Sequence, residues 1–267
     1  MIRDITLGQY YSGSSIIHRL DPRTKLLGTF IYVISLFLVD SYIGYILCVA
    51  FLAACIIMSH IPFKHMLKGL SAIIIILLIS VVFNLFLTPG RTLVSIGTIT
   101  ITEEGVYQAI FMAIRLICLI LGASLVTFTT TPTQLTDGLE KGLGFLKFIG
   151  IPVHEMAMMI SIALRFIPIL TEELDKIMKA QMARGADFES GNIVKKAKAM
   201  VPLLVPLFVS AFRRATDLAQ AMEARCYHGG EGRTKLHPLR YSVRDAIAYI
   251  IVALFLACII LLKVFGV

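Results

Sequence analysis

The sequence predicts an all-α polytopic membrane protein, with about five transmembrane helices, a cytoplasmic region of two long helices, and a short amphipathic helix. Three observations carry that prediction. Of the 267 residues, 57% are hydrophobic, above the ~45–50% of an ordinary soluble domain. Only 16% are charged, against a soluble average of ~25%. The charges are also clustered: residues 70–87 and 246–262 have none, 26–59 contain only Asp40, and 106–126 contain only Arg115. Uncharged apolar runs of this length fit helices that cross a bilayer.

Residues 1–25 form a polar N-terminal segment without the apolar core and small-residue cleavage site of a signal peptide. The run from Leu26 to Ser59 is too long for one span and divides at Asp40–Ser41 into spans at about 26–40 and 42–58. The first is short of apolar residues and borrows from the flanking Arg23–Lys25 region. Further spans follow at about 70–87 and 106–126, completing a transmembrane block over 26–128, with the fifth at 244–267. Between the third and fourth, Val94 to Thr102 alternates with β-branched residues, the period of a short strand or hairpin on the extracellular side.

Basic residues fix the orientation. Arg3, Arg19, Arg23 and Lys25 precede the first span, and Lys64 and Lys68 lie between the second and third. The other side has only Arg91 and Lys263. Cytoplasmic loops are enriched in Lys and Arg, so the N-terminus is expected inside and the C-terminus outside. Residues 129–243 then lie inside. They hold 15 basic and 11 acidic residues, a mixed solvated surface and not a nucleic-acid patch. Cys48, Cys55, Cys118 and Cys258 fall in spans and read as packing residues, with no metal-ligand spacing among the five cysteines.

Within this region the spacing predicts an amphipathic helix along the membrane surface at about 131–149, ended by Gly150 and Pro152. Two long helices follow, at about 153–186 and 192–227. Each begins apolar and turns charged, and Pro168, Pro202 and Pro206 predict bends. The two end alike: Ala183-Arg184-Gly185 closes the first and Ala224-Arg225-Cys226 the second. A cation in the last turn complements the helix dipole, and Gly185 suits a C-cap. A guanidinium on a rigid helix end also suits a carboxylate-lined groove on another protein. Seven of the 11 methionines lie between Met156 and Met222; they are core filler or an adaptable contact surface.

The segment Ser14-Ser15-Ile16-Ile17-His18-Arg19-Leu20-Asp21-Pro22-Arg23-Thr24-Lys25-Leu26-Leu27, with the two Ala-Arg helix ends, resembles the T component (transmembrane coupling protein) of energy-coupling factor, or ECF, transporters. Leu20, Asp21, Pro22, Arg23 and Lys25 match that family's N-terminal motif, and the resemblance covers essentially the whole chain. It implies a non-catalytic subunit in the cell membrane of a prokaryote, joining two cytoplasmic ABC-type ATPases to one small substrate-binding membrane subunit for vitamin or metal-ion uptake. Arg184 and Arg225 would dock on the two ATPases, flanked by Ala183, Gly185, Ala224 and Cys226. Met156, Met158 and Met159 would face the substrate-binding subunit. ATP and Mg would bind to the partner ATPases, with no cofactor or metal on this chain. The second helix end departs from the family's Ala-Arg-Gly, having Cys226 after Arg225.

An intramembrane enzyme is the alternative. It would need paired carboxylates, a His-rich constellation or a nucleophile at membrane depth, but the six histidines are scattered outside the spans. Arg115 is the one charge within a span, a functional candidate that could also snorkel or pair with Asp40. The tail Gly229 to Thr234 lacks the Gly-Lys-Thr/Ser ending of a phosphate loop. A stand-alone transporter or channel would show repeated spans, and none is visible.

Overall fold

The computed structural model describes residues 10–39, 41–62, 65–67, 73–96, 99–188, 192–230 and 238–265. Arg3, Asp40, Lys64, Lys68 and most of the glycine-rich tail (231–237) lie outside them. Two compact units result: residues 1–138 with 239–267, and residues 139–238.

In the first unit, α1 (Pro22–Leu38) starts four residues before the expected span. Asp21 is its N-cap, accepting from the Arg23 backbone N–H, and Pro22 stands in the first turn, where a missing N–H costs nothing. Helix α2 (Tyr42–Ser59) is capped by Ser41, whose hydroxyl accepts from the Gly44 N–H. Next come α3 (Ile74–Leu87) and a hairpin of β1 (Thr92–Ile96) and β2 (Ile99–Thr102), paired antiparallel with Ile96 opposite Ile99. Thr102 then caps α4 (Glu103–Thr129), and Glu103 and Glu104 complement the positive end of its dipole. The last helix, α8 (Val243–Phe265), packs on α1 and α2.

The core lies among α1, α2, α4 and α8. Tyr32, Phe51 and Phe255 stack with ring centroids 4.3–6.1 Å apart, over the buried Leu36, Cys48, Leu52 and Cys118. Gly122 of α4 lets the Tyr32 ring approach; a Cβ there would stand 2.8 Å from it. Arg115 is spent on packing: its Nε donates to Tyr45 Oη at 2.8 Å and an Nη to the Val39 carbonyl at 3.2 Å. That carbonyl follows the end of α1, beyond the reach of the helix ladder.

The boundary between the units falls inside α5 (Pro132–Gly142). The single amphipathic helix expected at 131–149 is corrected here. Gly142 and Gly144 interrupt it, since each glycine costs ~1 kcal/mol in a helix, and Gly144–Ile149 continues as a 3-10 turn ended by left-handed Gly150. The second unit is otherwise built on α6 (Val153–Ala183) and α7 (Ile193–Ala224).

Among the described residues, five helices are long and apolar enough to cross a membrane. Three of them, α2, α4 and α8, fall on stretches read from the sequence as spans, and two, α6 and α7, do not. Length and composition select α2, α4, α6, α7 from Lys198, and α8. Helix α1, with 17 residues and a Lys and Arg at its start, and α3, with 14, fall short of that criterion.

Candidate functional site

Helices α6 and α7 end in the same backbone motif, bond for bond. At the end of α6, Gly185 N–H donates to the Met182 carbonyl at 2.9 Å and Ala186 N–H to Gln181 at 3.0 Å. At the end of α7, Cys226 N–H donates to Glu223 at 2.8 Å and Tyr227 N–H to Met222 at 3.1 Å. Each is the paired closure of a Schellman motif, which needs a left-handed residue just after the helix. Gly185 supplies it at φ +88°, and Cys226 at φ +54°. The departure from glycine at Cys226 therefore leaves the backbone path unchanged. Arg184 and Arg225 occupy the same capping position and are exposed, and their side chains have no hydrogen-bond or ion-pair partner among the described residues. Ala183 and Ala224, also exposed, leave the guanidinium stems uncrowded.

Upstream, the two helices are tied together by Glu173, which accepts from an Arg214 Nη at 2.9 Å. Ser210, one turn before Arg214, bonds the same carboxylate. Counted along the helices, this bonded pair lies 11 residues, about 16 Å at 1.5 Å per residue, ahead of each terminal arginine.

Away from the arginines, α7 presents Val201, Leu204, Val205, Phe208, Val209 and Phe212 exposed on one stripe, at spacings of three and four. Sequence reasoning missed this face, though the alternation in VPLLVPLFVSAF carries its period. Met156 and Met159 of α6 are exposed beside Ile160, whereas Met158 is half-buried. The chain after α7 returns to the start of α6: Gly230 lies so close on the His154 ring that no Cβ would fit. His154 in turn pairs with Glu140 at 2.8 Å.

The N-terminal motif residues form a second cluster, in the first unit. Arg23 grips Asp21 through two bonds of 3.0 and 2.9 Å and lies 3.8 Å over the Tyr241 ring. Asp21 N–H donates to Asp245 Oδ1, and Asp245 Oδ2 accepts from the Ser242 N–H and hydroxyl, each at 2.8 Å. Lys25 Nζ donates to the His18 carbonyl, the Thr129 carbonyl and Thr130 Oγ1. Pro22 is buried and Leu20 half-buried. The motif thus joins the start of α1 to the start of α8 and the end of α4. Asp245 is its hub, and nothing in the sequence marked it.

Apolar helices around a buried core in one unit, and a bonded helix pair ending in two exposed arginines in the other, define a polytopic α-helical membrane protein. The family model described as "Cobalt transport protein" (CbiQ) matches residues 13–236. The energy-coupling factor transporter transmembrane protein EcfT of Thermosediminibacter oceani is 55% identical over 249 residues, covering 93% of this chain and 94% of that protein. EcfT of Clostridium kluyveri is 54% identical, covering 98% of each chain, and EcfT of Bacillus subtilis 49% identical, covering 92% and 93%. The chain belongs to this family of energy-coupling factor transporter transmembrane proteins.

Proposed function

We propose that this chain couples two cytoplasmic ABC-type ATPases to a separate substrate-binding membrane subunit, driving uptake of a micronutrient, a vitamin or a metal ion. The observation that carries this reading is the pair of identical helix ends, each offering an unpaired arginine. A guanidinium fork held on a rigid helix terminus suits a carboxylate-lined groove, and two equivalent ends suit two equivalent ATPases. ATP and Mg belong to those partners, which makes this chain the non-catalytic part of the assembly.

The bond between Glu173 and Arg214 would make each helix a lever. From there the arms to Arg184 and Arg225 are about 16 Å long, and those to the helix starts about 30 Å. Closure of the ATPases on ATP would move the short arms, and the long arms would carry a larger displacement toward the membrane. The uncovered stripe on α7, with Met156 and Met159 on α6, offers the surface through which the substrate-binding subunit would feel it. Such transmission needs packed elements with two discrete arrangements. In this reading α6 and α7 lie outside the bilayer despite their length, because Arg165, Glu172, Glu173, Asp175 and Lys176 would otherwise be buried in lipid. In this reading the N-terminus is cytoplasmic and the C-terminus extracellular, which the Lys and Arg distribution supports. Phe145, Phe148 and Ile149, bare on the 3-10 turn beside Lys147, suit the membrane surface.

The test is to reverse both charges, Arg184→Glu with Arg225→Glu. The expected result is loss of both ATPases from the detergent-solubilised complex while the chain stays folded in the membrane. If the double variant still co-purifies with both ATPases and supports uptake, the coupling reading is wrong.

A further inference from the structure

An apolar cavity in the first unit, about 420 Å³, is walled by α1, α2, α4, α8 and the segment before α1. Its lining is apolar along most of its length, from Ile17 and Met58 to Tyr32 and Leu52. Small residues keep it open: Gly28, Ala54 and Ala248 all face it. Its polar residues gather at one end, where α1 and α8 begin and α4 stops, and they include Lys25, Thr129 and Arg244. Lys25 is already engaged by three oxygens. Arg244 is exposed and has no hydrogen-bond or ion-pair partner among the described residues.

We propose that this groove holds an acyl chain of an anionic phospholipid, with the headgroup phosphate on Arg244. Between Thr24 and Tyr32 the groove runs about 12 Å along α1, and its apolar walls suit a hydrocarbon chain. Charge decides the headgroup: a free guanidinium at the water-facing end of an apolar slot attracts an anionic lipid over a zwitterionic one, by about fivefold per basic residue. The site lies in the leaflet on the N-terminal side and uses neither Arg184 nor Arg225, so its test is independent of the coupling reading.

The chain contains no tryptophan, so one introduced tryptophan reports alone. Phe51→Trp places it in the groove wall, with Leu125→Trp on another wall as the alternate reporter. Phe30→Trp, exposed on α1 outside the lining, is the control. In vesicles of phosphatidylcholine and phosphatidylglycerol, with bromine on the acyl chains of one lipid at a time, the groove reporter should be quenched about fivefold more effectively by phosphatidylglycerol. The control should show no preference. Arg244→Gln should abolish the preference, and Ala248→Leu should weaken quenching by both lipids. Equal quenching by the two lipids at both groove reporters overturns the proposal. So does a preference that survives Arg244→Gln, or quenching that Ala248→Leu leaves unchanged.

Discussion

Glu173 and Arg214 are bonded at 2.9 Å, and each stands 11 residues ahead of a terminal arginine, Arg184 for the first and Arg225 for the second. The bonded pair is therefore equidistant, along the helices, from the two terminal arginines. In the coupling reading this bond is a pivot. Arg214→Glu sets two carboxylates against each other, and uptake should fall several-fold while the ATPases remain bound. Exchanging the partners, Glu173→Arg with Arg214→Glu, should restore most of it. Uptake in cells, read beside co-purification of the ATPases, distinguishes this from lost docking. A swapped pair no better than the single variant would remove the pivot.

Cys226 holds the left-handed position that Gly185 holds in the other helix. A non-glycine residue there is strained by ~1–2 kcal/mol, of which glycine's extra freedom in the unfolded chain offsets part. Cys226→Gly should thus stabilise the chain by about 0.5–1 kcal/mol, raising the melting temperature by about 1–4 °C and leaving uptake unchanged. Gly185→Ala should lower it by a similar amount. Thermal unfolding of the purified protein checks both, and opposite signs for the two substitutions are the signature of a shared motif.

What the sequence disclosed depended on how local the signal was. The helical membrane class followed from runs of apolar residues, and the paired Ala-Arg ends from a repeat visible by eye. The left-handed turn at Cys226 was hidden because glycine, not cysteine, announces that conformation. The bond between the two long helices was hidden because Glu173 and Arg214 look like any two charges on solvated helix faces. The broken helix after Gly142 shows a local rule underweighted: two glycines within three residues outvoted an amphipathic pattern. Asp245 was beyond sequence reasoning, since its bond to Asp21 spans 224 residues.

That bond makes a strong prediction about the N-terminal motif. Asp245 is 1% exposed and accepts from the Asp21 N–H, the Ser242 N–H and the Ser242 hydroxyl. Asp245→Ala strands two backbone donors, and each buried unsatisfied group costs ~1–3 kcal/mol. A loss of about 2–5 kcal/mol is expected by denaturant or thermal unfolding in detergent. Asp245→Asn should fall between, because one amide oxygen still serves Asp21 while the NH2 faces the Ser242 N–H. An alanine variant as stable as the parent would show that the motif does not fasten α8 to α1.

The close approach of α4 to α1 is testable at a single atom. A Cβ on Gly122 would lie 2.8 Å from Tyr32 Cε1 and 3.0 Å from Cδ1, and Tyr32 has little room to retreat because it stacks on Phe51 and Phe255. Gly122→Ala should therefore destabilise the membrane unit by about 1–3 kcal/mol, the cost of overpacking a filled core. Gly142 gives the contrast, since nothing stands within 4 Å of a Cβ there. At that helix end alanine should be neutral or stabilising by up to ~1 kcal/mol. Comparing the two unfolding midpoints isolates the steric effect from general helix propensity, which favours alanine at both positions. If Gly122→Ala is also stabilising, the tight α1–α4 contact through Tyr32 is wrong.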